Sequence, residues 1–386
     1  MYNRNLVFVA ACIGIFLFGI VLVTLGSILP SLEIKFKDDG LNRGILAATI
    51  PAGVLAGALI FGPIADRYGY KLLLIVSVLI VAIGFEGLAF TDSVPLLYVC
   101  IFLIGLGGGI INGGTNALTA DISLKNKGAS LSILGVFYGI GALGMPLLLG
   151  VLSNIFHYTT ILSVVGFLML LSVIYFLLIV FPAPKHAQGF PLKEGIRLLR
   201  APVLLLTGGF LFFQSGIEFL VNNWTTSFMR ENVKATNEEA LYALSFSLLG
   251  LTVARLFLGV LLKKISSFTI LIVSLLIIVA GSFILLYSNV YSVSFGGLII
   301  IGVGLAAGFP VILGYIGQLY AALSGTAFSI ALVIALIGGI LINYFFGLIA
   351  DNYSINYLPF LIMACTAGMI VLSILIQQKI RGKVKV

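Results

Sequence analysis

The stretch Gly62-Pro-Ile-Ala-Asp66-Arg67-Tyr-Gly69-Tyr-Lys71 separates two long apolar runs and decides how the chain is organised. The runs cover residues 43–62 and 72–90, and each is close to the ~20 apolar residues that a helix needs to cross a bilayer. Gly62 and Gly69 permit a tight turn because glycine adopts backbone angles that other residues avoid. The stretch therefore predicts two consecutive membrane-spanning helices joined at one membrane surface.

The composition indicates that this pair of spans belongs to a larger set. Hydrophobic residues make up 61% of the 386-residue chain and charged residues 9%, whereas a soluble domain has roughly 45–50% and about 25%. So few charges could not cover the apolar side chains of a water-soluble globule. This excludes a soluble enzyme, a nucleic-acid module and a secreted scaffold. The apolar runs are continuous rather than alternating, which favours helices over a β-barrel.

Further apolar runs extend the pattern to twelve predicted helices. The longest connection, 182–201, contains three prolines and falls in the middle of the chain. We therefore predict an all-α membrane protein with two six-helix bundles, residues 1–181 and 202–386, joined by this cytoplasmic linker. The predicted spans are 6–29, 43–62, 72–90, 95–119, 129–150, 160–181, 202–229, 240–262, 266–287, 291–316, 323–349 and 355–378.

The basic residues predict how the spans are oriented. The net charge is +8, and fifteen of the 21 Lys and Arg residues fall on the side of the N-terminus in this arrangement. Five fall on the opposite side, and Arg255 lies inside a span. Because cytoplasmic loops carry the excess of Lys and Arg, both termini are predicted to be cytoplasmic, in a multi-pass protein of the plasma (inner) membrane.

Residues 62–71 resemble the loop signature of the major facilitator superfamily, G-x-L-a-D-R-x-G-r-K. Gly259 lies 197 residues after Gly62 and begins a weaker copy in the second half. The resemblance implies two pseudo-symmetric bundles that open alternately to the two sides of the membrane. It also implies a conformational latch, in which Asp66 can face the positive N-terminus of a helix from the other half. The predicted latch residues are Gly62, Asp66, Arg67, Gly69, Lys71 and Arg255.

A narrower resemblance is to the fucose–galactose–glucose symporter family, the fucose permease-like group. It rests on GLGGGIINGGTNAL (105–118), FFQSGIEFLVNNWTTSFM (212–229), ARLFLG (254–259) and FSIALVIALIGGIL (328–341). The resemblance implies sugar transport. The chain departs from the family where its members carry coupling carboxylates, since Gly26 stands in the first span and Asn112 in the fourth.

Glu218 is the intramembrane ionisable residue with polar neighbours at helical spacing. A charge near the bilayer centre costs at least about 2.5–3.5 kcal/mol, so such a group usually faces a cavity or a partner. Gln214 and Asn222 lie four residues before and after Glu218, which places all three on one helical face. We predict that this stripe binds substrate and that Glu218 is the proton-coupling residue. Glu86, towards the outer end of the third span, is predicted to be structural.

Other polar residues leave alternatives open. If Arg255 pairs with Glu218, the pair is structural and Glu218 stays ionised; if Arg255 faces the cytoplasmic gate, Glu218 is free to titrate. Trp224 either stacks on a sugar ring or lies at the outer membrane interface. Asn112 and Asn116 either bind a neutral solute or join helices by hydrogen bonds, and Asn343 is a candidate of the same kind.

These patterns predict a secondary active transporter and not an enzyme. The chain has no P-loop pattern for ATP and no carboxylate pair or Ser/His/Asp set placed for hydrolysis. The expected substrate is a small neutral sugar or amino sugar, imported with H⁺ or Na⁺. The alternatives are a proton-coupled multidrug or metabolite exporter and a non-transporting membrane sensor on the same fold. We expect no cofactor, metal or nucleic-acid partner, and a monomer embedded in the lipid bilayer.

Overall fold

The computed structural model describes residues 2–37, 39–123, 127–183, 198, 200–320 and 324–384. Within these residues the regular structure is helical throughout, and twelve helices are long and apolar enough to cross a membrane. The predicted all-α class is confirmed. The helices are α1 (Arg4–Lys35), α2 (Arg43–Phe61), α3 (Arg67–Phe90), α4 (Val94–Ile122), α5 (Ile133–Leu152), α6 (Tyr158–Leu178), α7 (Pro202–Glu231), α8 (Asn237–Leu261), α9 (Ser267–Tyr287), α10 (Tyr291–Leu319), α11 (Ala327–Asn352) and α12 (Ile355–Ile380).

Helix α1 shows how the sequence sets the limits of a span. The side chain of Asn3 accepts hydrogen bonds from the backbone N–H groups of Asn5 and Leu6, which otherwise lack partners at a helix start. No charged residue follows Arg4 until Glu33, so the helix stays apolar over its whole central part. It runs to Lys35, beyond the predicted end at residue 29. The positive charge of Lys35 in the last turn stabilises the negative C-terminal end of the helix dipole.

Helical structure extends further into the connection between α2 and α3 than predicted. Helical structure continues from Arg43 to Phe90 and is interrupted at Gly69, which has φ 81° and ψ 165°. A side chain is strained at this φ, so the turn requires glycine. The side chain of Asp66 lies outside the described part of the structure, so the latch role of Gly62 and Asp66 stays a prediction.

Two side chains after Gly69 connect α3 to its neighbours. The Tyr70 hydroxyl donates to Asp121 Oδ2 at the end of α4 over 2.7 Å. Lys71 Nζ donates to the carbonyl oxygens of Leu177 and Ile179 at the end of α6, over 2.8 and 3.1 Å. Lys71 thus caps a helix C-terminus, where carbonyls lack helical donors and a positive charge is favoured. Arg67 lies over the ring of Tyr68 at 5.3 Å.

The chain forms two compact units. The first comprises Met1–Gln188 and Thr236–Ser245, and the second comprises Gly189–Ala235 and Phe246–Val386. The N-terminal part of α8 therefore packs in the first unit, where Ser245 Oγ donates to the Leu143 carbonyl oxygen over 3.3 Å. Most of the predicted linker, 182–201, lies outside the described residues, so its limits stay a prediction.

Glycines bring α2 and α4 into close contact within the first unit. A Cβ atom on Gly105 would lie 2.5 Å from the Ile50 carbonyl oxygen, and one on Gly53 would lie 2.5 Å from the Phe102 carbonyl oxygen. Gly57 and Gly109 repeat the arrangement one turn further along. Small residues spaced by four allow two membrane helices to approach at backbone distance.

Helix α10 of the second unit is broken. Its first part is Tyr291–Leu305 and its second part is Gly308–Leu319, with Ala306 and Ala307 between them. Pro310 explains the break, since it has no N–H to donate to the Ala306 carbonyl and its ring crowds the preceding turn. The sequence prediction of a continuous span over 291–316 did not include this interruption.

Candidate functional site

The predicted polar stripe on α7 forms as its spacing requires. Gln214 Nε2 donates a hydrogen bond of 2.9 Å to Glu218 Oε1, one helical turn further along. Gln214 is 1% exposed and Asn222 is buried, whereas 18% of the Glu218 side chain remains accessible. Glu218 therefore has the most accessible side chain of the stripe.

Arg255 on α8 adopts the first of the two arrangements left open by the sequence. Its Nη2 atom lies 3.3 Å from Glu218 Oε1, and 24% of its side chain is accessible. Gln214 and Arg255 thus both contact Oε1, while Oε2 accepts no hydrogen bond from the described residues. Arg255 Nε is buried and also has no partner in that part of the chain. Among the described residues, the pair thus leaves Glu218 Oε2 as an unused acceptor and Arg255 Nε as an unused donor.

The break in α10 meets the same side chains. Gln214 Nε2 also donates to the carbonyl oxygen of Leu305, the last residue before the break, over 3.0 Å. Gly308, the first residue after the break, lies directly against the Gln214 amide, because a Cβ atom there would overlap Gln214 Oε1. Ala306 and Ala307 keep right-handed helical backbone angles, so the break is a local loss of helical hydrogen bonds rather than an unwound segment.

Trp224 lies in the interior of the second unit, which corrects both expectations for it. Its ring is 0% exposed and packs edge-to-face on Phe346, with centroids 4.9 Å apart. Its indole N–H donates to Asn343 Oδ1 over 3.2 Å. A buried indole N–H needs an acceptor, and Asn343 supplies it. The ring therefore presents no face to a solute or to the membrane interface.

Asn343 is occupied by the same cluster, which corrects its assignment to the binding site. Its Oδ1 accepts from Trp224 and also from Asn223 Nδ2 over 3.3 Å. Its own Nδ2 donates to the Gly339 carbonyl oxygen over 2.9 Å. Because the side chain is fully buried and both ends of its amide are bonded, it joins α7 to α11 rather than facing a solute.

Asn112 and Asn116 lie on one face of α4 in the first unit. Asn116 Nδ2 donates to the Asn112 side-chain oxygen over 3.0 Å and to its carbonyl oxygen over 2.8 Å. Asn116 is exposed and Asn112 is half-buried. Their described hydrogen bonds stay within one helix, so they leave amide groups available for a polar solute.

Glu86 is the other carboxylate well inside a span, and it joins α3 to α6. Ser163 Oγ donates to Glu86 Oε2 over 2.6 Å. Gly166 makes room for the carboxylate, since a Cβ atom there would lie 2.7 Å from Oε1. Oε1 is buried and has no partner among the described residues. These contacts agree with a structural role between two helices.

Sequence reasoning missed two features of the site. The first is the break in α10, which Pro310 between Gly308 and Gly314 could have indicated. The second is Thr225, three residues after Asn222 and on the same face of α7. Its hydroxyl is fully buried and lacks a hydrogen-bond partner in the described ranges. The polar run 222–227 was the available signal for this residue.

The sequence model of the Major Facilitator Superfamily matches residues 11–231. The uncharacterized MFS-type transporter YfkL of Bacillus subtilis is 26% identical over 258 residues, which cover 65% of this chain and 65% of YfkL. The inner membrane transport protein YdiN of Escherichia coli is 24% identical over 351 residues, which cover 85% of this chain and 81% of YdiN. The chain thus spans just under two thirds of the first relative.

Solved structures show the same fold. A crystal structure of a D-xylose-proton symporter aligns with 96% of this chain and 97% of its own, with a TM-score of 0.80 and 13% identity. Further sequence relatives include proteins named as a glucose/mannose transporter, a 4-hydroxybenzoate transporter and a multi-drug resistance efflux pump. The relatives therefore differ widely in what they carry.

Proposed function

The chain belongs to the Major Facilitator Superfamily, and we propose that it carries a small neutral solute by alternating access, coupled to protons at Glu218. Family membership makes it a multi-pass membrane transporter and not an enzyme. The solute, the coupling ion and the direction of transport are the proposed parts. We assign them as a sugar or amino sugar, H⁺ and import.

One observation carries the proposal: Glu218 lies inside a span with its side chain partly accessible, and the described residues contact only one of its two carboxylate oxygens. Gln214 and Arg255 both contact Oε1, and 18% of the side chain remains accessible. Charged groups inside spans are costly and mark ion or solute pathways. The unengaged Oε2 can accept a proton or a hydrogen bond from a solute hydroxyl.

The chemistry around Glu218 favours a neutral polyhydroxylated solute. While Glu218 is ionised, its pair with Arg255 has no net charge, so in that state it offers no excess attraction to an anion or a cation. Glu218 Oε2 can accept from one hydroxyl, and Arg255 Nε can donate to a neighbouring hydroxyl oxygen. Asn112 and Asn116 of the first unit carry amides that both donate and accept, and by themselves they also suit a neutral solute. The resemblance to the fucose–galactose–glucose symporters supports the assignment of a sugar.

The pairing of Glu218 with Arg255 is compatible with proton coupling if Glu218 alternates between an ionised and a protonated state. An ionised Glu218 attracts Arg255 because the two groups carry opposite charges. When Glu218 takes up a proton, the attraction ends and the guanidinium is free to bind solute oxygens. We therefore propose that the contact between Arg255 and Glu218 opens and closes once in each transport cycle.

Transport by purified protein in liposomes tests the proposal. The vesicles are loaded with a pH-sensitive dye and placed in an acidic medium with labelled D-glucose, L-fucose or N-acetylglucosamine. We expect one of these sugars to accumulate above its outside concentration and the lumen to acidify with it. If none accumulates and an amphipathic dye is expelled in exchange for protons, the protein is an exporter and the sugar proposal is wrong.

A further inference from the structure

Gln214 connects the Glu218 carboxylate to the break in α10. Its Nε2 atom donates to Glu218 Oε1 over 2.9 Å and to the Leu305 carbonyl oxygen over 3.0 Å. A primary amide has two N–H hydrogens, so both are used. Gln214 is 1% exposed, so water does not compete for these contacts.

The Leu305 carbonyl needs this donor because of the break. In an uninterrupted helix the N–H of Phe309 would bond to it, but the first part of α10 ends at Leu305. A buried carbonyl without a donor is costly. Gln214 therefore stabilises the broken form of α10, and it does so from a different helix.

Gly308 makes the connection possible. A Cβ atom at this position would overlap the Oε1 and Cδ atoms of Gln214, so any larger residue would push the amide away. Gly296 and Gly314 lie in the same span, and a Cβ atom on either would meet no described atom within 4 Å. Gly302 and Gly304 also approach neighbouring helices closely, but Gly308 is the glycine of this span that lies against the Gln214 amide.

We propose that Gln214 is a positioning residue that relays the ionisation state of Glu218 to the break in α10. Hydrogen bonds to an ionised acceptor are roughly twice as strong as neutral ones. An ionised Glu218 therefore holds the Gln214 amide firmly, and the amide holds the Leu305 carbonyl. When Glu218 is protonated, the amide is held less firmly and the break opens more readily. The relay rests on the proposed role of Glu218 as the proton site.

Hydrogen–deuterium exchange of peptides covering residues 302–312 tests the relay without any solute. The protein is measured in lipid nanodiscs at one acidic and one alkaline pH, with exchange corrected for its intrinsic dependence on pH. In the wild type we expect about fivefold faster corrected exchange at acidic pH, the effect of losing about half of a charge-assisted hydrogen bond. A peptide from α9 serves as the internal reference.

Four variants separate the relay from a general loosening of the fold. Gln214→Met keeps the shape of the side chain and removes both donors, and Gly308→Ala displaces the amide from the opposite helix. Both should show fast exchange at 302–312 at either pH, with no pH-dependent difference. Gly296→Ala and Gly314→Ala should behave as the wild type. If Gln214→Met or Gly308→Ala folds and keeps the wild-type difference, Gln214 is not the relay.

The outcomes also separate the relay from the proposed function. If the wild type shows no difference in exchange while Glu218→Gln still abolishes proton-driven sugar accumulation, the relay is wrong and the proposed function stands. If the difference is present and disappears in Glu218→Gln, but no sugar accumulates, the relay stands and the assignment of a sugar is wrong.

Discussion

Arg255 Nη2 lies 3.3 Å from Glu218 Oε1, the same oxygen to which Gln214 Nε2 donates over 2.9 Å. Two donors thus converge on Oε1 of an intramembrane carboxylate, although no described residue donates to its Oε2. This arrangement holds Arg255 by a single contact rather than by the bidentate geometry that makes Arg–carboxylate pairs strong. A contact of this kind can be exchanged for a proton and a solute, which a bidentate pair would oppose.

The pair predicts an order of stabilities between a single and a double variant. Arg255→Met leaves the carboxylate without its cation, and removing one partner of a buried pair costs roughly 3–5 kcal/mol. Because both side chains are partly accessible, we expect a loss of about 1–3 kcal/mol in the free energy of unfolding. Arg255→Met combined with Glu218→Gln removes both charges and should lose less than Arg255→Met alone. Unfolding in mixed SDS micelles measures each variant, and a double variant less stable than Arg255→Met would contradict the pair.

Glu218→Gln should abolish the accumulation of sugar against its gradient while exchange of labelled for unlabelled sugar continues. Glutamine keeps the shape of the side chain but cannot gain or lose a proton, so the solute site remains and the coupling is lost. Uptake into liposomes with and without an imposed pH gradient measures both activities.

Glu86→Gln is the matched control because it changes the other carboxylate well inside a span. Ser163 binds Glu86 through Oε2, and the glutamine oxygen can accept the same hydrogen bond. We expect accumulation to persist at a rate similar to that of the wild type. If Glu86→Gln abolishes accumulation and Glu218→Gln does not, the coupling site lies in the first unit.

Trp224→Phe should lower stability and leave sugar affinity unchanged. The substitution removes the hydrogen bond to Asn343 and part of the packing against Phe346, which together are worth about 1–3 kcal/mol. Because the ring is fully buried, no contact with solute is lost. Thermal unfolding and the KM for uptake measure the two effects, with Tyr287→Phe at an exposed position as the control. A raised KM for uptake with unchanged thermal stability would show that Trp224 contacts the solute and would contradict this prediction.

The sequence was sufficient for the spans because the bilayer requires ~20 consecutive apolar residues, whatever the packing. It was also sufficient for the contact between Gln214 and Glu218, since residues four apart on one helix are neighbours by geometry alone. The backbone atoms that the glycines of α2 and α4 approach could not be named from the sequence.

Contacts between different helices could not be predicted in the same way. Whether Arg255 reaches Glu218 depends on how α8 is rotated against α7, and spacing along one helix does not contain that angle. The acceptor in α10 is the backbone carbonyl of Leu305, and a carbonyl leaves no mark in the sequence. Trp224 lies near the end of the predicted span 202–229, which suggested an interfacial position, but its ring is buried against Phe346 of α11.

The close contact between α2 and α4 predicts a contrast between two glycine substitutions. Gly105→Ala places a methyl group 2.5 Å from the Ile50 carbonyl oxygen, so the helices must separate. Overpacking of this kind costs about 1–3 kcal/mol. Gly135→Ala in α5 meets no described atom within 4 Å and should be neutral or stabilising by up to about 1 kcal/mol. Unfolding in SDS micelles distinguishes the two, and equal stabilities would show that α2 and α4 adjust without strain.

Lys71→Met should loosen the end of α6 and leave the rest of that helix unchanged. Lys71 Nζ donates to the Leu177 and Ile179 carbonyls, and a cation at a helix C-terminus contributes about 0.3–1 kcal/mol, rising to about 2 kcal/mol where it is partly buried. Losing it should speed amide exchange of residues 174–179 about two- to tenfold, while residues 160–170 keep their rates. Lys263→Met removes an exposed charge from the corresponding loop of the second half and should change neither segment. If residues 174–179 exchange at the same rate in both variants, the side chain of Lys71 does not stabilise the end of α6. The contact between Tyr70 and Asp121 would then be the side-chain link from residues 62–71 to a neighbouring helix.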